Sequence, residues 1–173
     1  TRGSVKETLP LYNSEDIVFS FVDGNDVRIK VNLVVNENLT VEQTSNTSTL
    51  LLKCISEEIL RNECEEALTK DSYQGVISDH VKNILQNNLK TQKKIDVENG
   101  TNYNFNGNRH KALYTLNWLS KHDTPDKKGK SAGFLFFETS EGYKYKSIDF
   151  LMKQKPKKSF IFTDSGDFND KQY

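Results

Sequence analysis

FNGNRHKALYTLNWLSKHDTPDKKGKSAGFLFFETSEGYKYKSIDFL, residues 105–151, contains the change of period that decides the fold. In its first part Ala112, Leu116 and Leu119 share one face at helical spacing, which predicts a helix over residues 112–120 carrying the single tryptophan, Trp118. In its last part the spacing of Phe134 and Phe136, and of Tyr143 and Tyr145, is that of strands, predicted over 134–138 and 143–149. Thr139-Ser140-Glu141-Gly142 joins them as a four-residue hairpin loop, with Gly142 where a left-handed turn is expected. Leu116, Trp118, Phe134 and Phe136 are therefore expected in one core.

Working outward, Ile77, Val81, Ile84, Leu85 and Leu89 fall at i, i+4, i+7, i+8 and i+12, one side of about three helical turns. Residues 90–104 read as a polar link between the two helices, and residues 160–163 as a last short strand before a frayed tail. Toward the N-terminus Ile17, Phe19 and Phe21 alternate with Val18, Ser20 and Val22, and Val27, Ile29 and Val31 alternate with Arg28, Lys30 and Asn32. With Asp23-Gly24-Asn25-Asp26 between them, these runs predict a hairpin whose second strand extends to Val35. Residues 36–38 read as a turn, 42–47 as a loop, and 48–55 as a strand with Leu50, Leu52 and Cys54 on one face. Ser56 is placed to cap a helix whose first turn holds Glu57 and Glu58 and whose apolar stripe is Ile59, Leu60, Cys64, Ala67 and Leu68.

The expected fold class is therefore α+β: part of a β-barrel-like domain, then a small α/β module with two helices and a β-hairpin. The division is 1–75 for the strand module ending in a helix, 76–151 for the peripheral module, and 152–173 for the short strand and tail. Charge supports the split, since residues 1–75 hold 13 acidic and 7 basic side chains while 76–173 hold 11 and 17, although the whole chain is neutral. Ser72-Tyr73-Gln74-Gly75 is the seam that composition suggests. No apolar run approaches the roughly 20 residues a membrane helix needs. Opening on Thr1, with Met152 as its one methionine, the chain is expected to be a piece of something longer.

No catalytic, cofactor-binding or metal-binding residues are assigned. Gly129-Lys130-Ser131 imitates a phosphate-binding loop, but Thr124 stands where the earlier glycine is required and a strand, not a helix, follows. Cys54 and Cys64 are expected to be small buried thiols, and His80, His110 and His122 fall on different elements, so no metal cluster is predicted. Glu138 and Asp149, expected on facing strands, could pair as a glycosidase dyad, yet exposed strand carboxylates are common and nothing else marks a site. Lys127, Lys128, Lys130, Lys144, Lys146, Lys153, Lys155, Lys157 and Lys158, interleaved with Tyr143 and Tyr145, allow a nucleic-acid-binding module as the alternative function. A solvated face, or a surface complementary to an acidic partner, is the plainer reading of such a run.

Several segments in fixed order, across roughly residues 11–151, carry a resemblance. They are the paired strands from Glu15, TSTLLLKCISEEILRNE at 47–63, SYQGVISDHVKNIL at 72–85, F-x-G-N-R-x-K at 105–111, YTLNWLSK at 114–121 and GFLFFETSEGYKYKSID at 133–149. In these the chain resembles the baseplate hub proteins of contractile-tailed (myovirus) bacteriophages. The resemblance implies a virion structural protein, assembled in the host cytoplasm, and not an enzyme. It implies a homotrimer in which each chain supplies two similar β-barrel domains, forming a ring that adapts the hexameric tail tube to a trimeric spike or tail lysozyme. Neighbouring baseplate proteins are further partners, DNA is cargo passing through the ring, and no membrane is involved. By the same analogy residues 17–54 belong to the ring and residues 76–151 sit outside it.

Overall fold

The computed structural model of the chain describes residues 12, 14–24, 26–43, 48–125, 133–156 and 159. Ile77, Val81, Ile84, Leu85 and Leu89 lose all solvent exposure together, as their spacing predicts. They lie on α2, Ile77–Asn83, which widens into a π-helical stretch, Ile84–Asn88, where the Leu89 amide donates to the Ile84 carbonyl five residues back. In a regular α-helix residues five apart point about 140° apart, so the wider turn is what brings Leu89 back under Ile84 and into the core.

Helix α3, Ala112–His122, presents Ala112, Leu116 and Leu119, all fully buried, to this core. The other side is a sheet of β5, Ile95–Val97, β8, Gly142–Ser147, and β7, Phe134–Thr139, in the order β5-β8-β7. Strand β8 runs antiparallel to β7 and parallel to β5. Tyr145 stacks on Phe134 at 4.7 Å and Tyr143 on Phe136 at 5.6 Å. Leu116 and Phe134 are buried and Trp118 and Phe136 pack partly buried against the same cluster, which is the grouping expected from the sequence.

The hairpin is tighter than expected. Thr139 pairs with Gly142, leaving a two-residue turn, Ser140-Glu141. Gly142 has φ +127°, and a Cβ there would stand 2.2 Å from the Lys94 carbonyl oxygen, so both backbone shape and close approach require glycine. Strand β8 also ends sooner than its pattern suggests, because the Ser147 hydroxyl accepts the Phe150 amide and starts helix α4, Ile148–Met152. Asp149 therefore sits on a helix, not on a strand facing Glu138. The polar link at 90–104 contains β5 and, at its end, Tyr103. Three residues are too few to show alternation, and only pairing with β8 makes them a strand.

Ser72-Tyr73-Gln74-Gly75 is built into this module. Strand β4, Ser72–Tyr73, pairs with β6, Phe105–Asn106, and Tyr73 is buried against Phe105 with ring centroids 4.7 Å apart.

The N-terminal strands form a separate antiparallel sheet, β1, Asp16–Val22, β2, Arg28–Gln43, and β3, Ser48–Ile55, in that order. The expected hairpin after β1 is present, closed by the Asp23 amide on the Val27 carbonyl at 3.0 Å. The turn expected at 36–38 is absent. Strand β2 continues past Asn36 with a bulge, since β3 would otherwise lose its partner, and a second irregularity follows between Thr40 and Glu42. Residues 42 and 43, expected in a loop, are strand, and 44–47 lie outside the described residues.

Helix α1, Glu57–Asn62, overturns the stripe drawn through Ile59, Leu60 and Cys64. It ends at Asn62, so helical spacing does not continue to Cys64 and Leu68; a 3₁₀ turn, Glu65–Ala67, follows and buries Ala67. Ile59 and Leu60 are exposed, whereas Glu58 and Asn62 are buried. Glu58 faces Lys93 at 2.8 Å and Thr91 at 2.6 Å, and the Asn62 side-chain oxygen Oδ1 accepts the Leu113 amide at 2.9 Å. Ser56 occupies the cap position without a side-chain hydrogen bond. Among the described residues the chain is thus a mixed α+β structure with three small sheets and four helices, and the first sheet is open.

Candidate assembly interface

The register of the first sheet sorts its residues onto two faces. Ile17 opposes Leu33, Phe19 opposes Val31 and Phe21 opposes Ile29, so one face of the β1–β2 pair is apolar, and Val35 opposes Cys54 further along. Phe19 and Phe21 lie side by side with ring centroids 5.6 Å apart. The opposite face carries Val18, Ser20 and Val22 across from Asn32, Lys30 and Arg28.

Neither face of β1 is covered. Phe19 is 55% exposed and Phe21 44%, with Val18 and Val22 above half. Val34 and Val35 are buried, but the main core cluster is built entirely from residues 67–145 and includes none of β1, β2 or β3. Among the described elements, these three strands make their extensive contacts with one another. Being first and last in the order, β1 and β3 each leave one edge without a described partner strand. Exposed apolar side chains combined with unpaired edges are the surface by which sheets add to other sheets.

The cysteines, histidines and paired carboxylates singled out by the sequence are dispersed. Cys54 is half-buried, but Cys64 is exposed, contrary to expectation, because it falls beyond the end of α1. His80 is buried, with Nε2 2.9 Å from the Tyr103 carbonyl and its ring edge-on to Tyr73 and Phe105. His122 lies at the other end of the same aromatic group, 4.3 Å from Trp118 between ring centroids. Among the described residues, no three His, Cys, Asp or Glu side chains are grouped to hold a metal ion. Glu138 binds Lys93 at 2.7 Å, so it and Asp149 do not form the facing pair the sequence suggested.

The basic run is also unlike a nucleic-acid groove where it is described. Tyr143 and Tyr145 are buried in the core. Lys144 pairs with Glu141 at 2.6 Å, and Lys146, itself buried, with Asp96 at 2.7 Å. Lys153 and Lys155 are exposed; Gly129, Lys130 and Ser131, Lys127 and Lys128, Lys157 and Lys158, and residues 160–163 lie outside the described residues.

Two polar clusters, each built around a buried carboxylate, Glu58 and Asp123, escaped the sequence reading because their members are far apart in the chain. Lys93 joins Glu58 of α1 to Glu138 of β7. Burial works against ionising Glu58, but hydrogen bonds from Lys93 and Thr91 hold its pKa below the usual 4.5; burial also works against charging Lys93, and Glu138 and Glu58 hold it above 10.5. The second is Asp123, which accepts the Thr101 amide at 2.8 Å, the Thr101 hydroxyl at 3.1 Å and the Tyr145 hydroxyl at 2.9 Å.

No helix among the described residues is long and apolar enough to cross a membrane. Comparison with protein-family models, with curated proteins and with solved structures finds no match to this chain.

Proposed function

We propose that this chain is a structural part of a contractile-tail baseplate hub, lending strands to the central ring that joins the tail tube to the spike, with no catalysis of its own. The observation that carries the reading is the apolar face of β1 and β2 in an open-edged sheet, with Phe19 and Phe21 about half exposed. A three-stranded sheet with Phe19 and Phe21 uncovered on that face is a component awaiting cover, and a ring of barrels supplies it by closing the strand edges. Fully burying a Phe side chain is worth about 1.5–3 kcal/mol, so completing the burial of these two adds about 2 kcal/mol per protomer to association. The sequence resemblance supplies the rest: a homotrimeric ring in the virion, the tube on one side and the spike or tail lysozyme on the other, with DNA as cargo. The nucleic-acid alternative loses its stacking platform, since the tyrosines it needs are core residues.

The test is co-assembly of the full-length chain with tail tube and spike proteins, followed by co-sedimentation. Phe19→Asp with Phe21→Asp should abolish incorporation while the folded α/β module keeps its circular dichroism. Normal assembly by that variant, or failure of the unaltered chain to join tube or spike, refutes the proposal.

A further inference from the structure

A cleft of about 150 Å³ opens between the loop at 105–110 and α3, lined by Phe105, Asn106, Asn108, His110, Tyr114 and Trp118. A space of roughly that volume accommodates one six-membered ring. Its walls are aromatic, with Phe105 and Trp118 ring centroids 5.5 Å apart and His110 and Tyr114 5.1 Å apart. Trp118 is only partly buried and Tyr114 is 57% exposed. At the rim, the side-chain amides of Asn106 and Asn108 are exposed and engage no partner among the described residues.

The loop that carries these amides is held firmly. The Gly107 amide donates to the Asp71 carbonyl at 3.0 Å, the Arg109 amide to the Thr69 carbonyl at 2.8 Å, and the buried Thr69 hydroxyl bonds at 3.1 Å to the Gly107 and His110 carbonyls. A Cβ on Gly107 would stand 2.4 Å from the Thr69 carbonyl oxygen, so the close approach requires glycine. Asn108 and Arg109 are both left-handed, at φ 51° and 56°. Such a conformation is costly for Arg, and strained backbone of this kind collects where a loop must present groups to a ligand.

The lining holds no Lys, Arg, Asp or Glu side chain. The cations beside it in sequence, Arg109 and Lys111, are paired with Glu65 and Glu63. A phosphate or carboxylate would find the adjacent Arg109 and Lys111 already engaged by Glu65 and Glu63, whereas aromatic faces and free amides suit a ring with one apolar face and several hydroxyls. We infer that this cleft is a binding site for a single neutral sugar ring, a pyranoside unit of a glycan. The inference is independent of the assembly reading, which involves the other sheet.

Trp118 is the chain's one tryptophan, so its emission reports on the cleft directly. The full chain is titrated with methyl glucoside, methyl galactoside, methyl mannoside and N-acetylglucosamine, and in parallel with adenosine monophosphate. At least one sugar should give a saturable change with a dissociation constant on the order of millimolar, as a ligand of this size allows. Loss of a single amide contact in Asn106→Ala or Asn108→Gly should weaken it about tenfold. Asn108→Gly decides the matter if Asn106→Ala misfolds, because glycine accepts the left-handed backbone and keeps the loop. No saturation by any sugar at concentrations on the order of 100 mM, a response unchanged in the variants, or saturation by the nucleotide and no sugar would each overturn the assignment.

Discussion

Tyr145→Phe removes a single hydroxyl from a place where water cannot replace it. Tyr145 is fully buried and donates to Oδ2 of Asp123 at 2.9 Å, and Asp123 is 1% exposed. Burial pushes the Asp123 carboxyl above its ordinary 3.8, while bonds from Thr101, Tyr145 and the Thr124 backbone oppose the rise. Because the folded-state pKa lies above the unfolded one, the folded protein holds more protons between the two values, and this group's contribution to stability falls as pH rises through the folded pKa. Removing a donor that favours the charged form raises that pKa further, so the variant's deficit should grow with pH. A hydrogen bond to a buried carboxylate is worth about 1.5–3 kcal/mol and one to a neutral acid about 1, so the loss should be about 2 kcal/mol near pH 7 and about 1 near pH 4. Urea unfolding followed by Trp118 emission at both pH values measures it. Equal losses at the two pH values would refute the reasoning, as would a loss under about 0.5 kcal/mol near neutrality.

Lys93→Met should cost about 2–3 kcal/mol near neutral pH by stranding buried Glu58 beside Thr91 alone. In the unaltered chain the Lys93–Glu58 contribution is complete between about 4.5 and 10.5 and is lost as Glu58 protonates below its depressed pKa or Lys93 deprotonates above its raised one, so denaturation across pH should show the variant's deficit vanishing in acid. Gly142→Ala should lower stability by about 2 kcal/mol or more on thermal melting, about what left-handed strain plus a backbone clash imposes, and the same loss in Gly24→Ala, where a Cβ meets open space and φ is not positive, would argue against that cause. Trp118→Ala should cost about 3 kcal/mol through lost contact with Tyr103, Phe105 and His122, and a change within error would remove it from the packing. Duplex DNA should bind weakly at physiological salt; tight binding with a log–log salt slope near −0.9 per phosphate would restore the nucleic-acid reading.

Some features were determined by local pattern alone. The stripes on α2 and α3, the β7–β8 hairpin with its left-handed glycine, and strands β1 and β3 were readable because burial of one face imposes its period on the chain within a few residues. Other features were decided only by partners distant in sequence. Helix α1 buries Glu58 and Asn62 and exposes Ile59 and Leu60 because Lys93, Thr91 and the Leu113 amide satisfy the polar groups, inverting what hydrophobicity suggests. Strand β5 exists through its pairing with β8, and β2 runs on through Asn36 because β3 lies beside it. The tyrosines that looked available for stacking are core because β7, β5 and α3 close over them, and the cleft at Asn106 and Asn108 forms only where the loop docks on Thr69. Periodicity records which face of an element is to be buried, but a hydrogen bond or ion pair between residues tens of positions apart leaves no such record, and only the folded chain brings its two halves together.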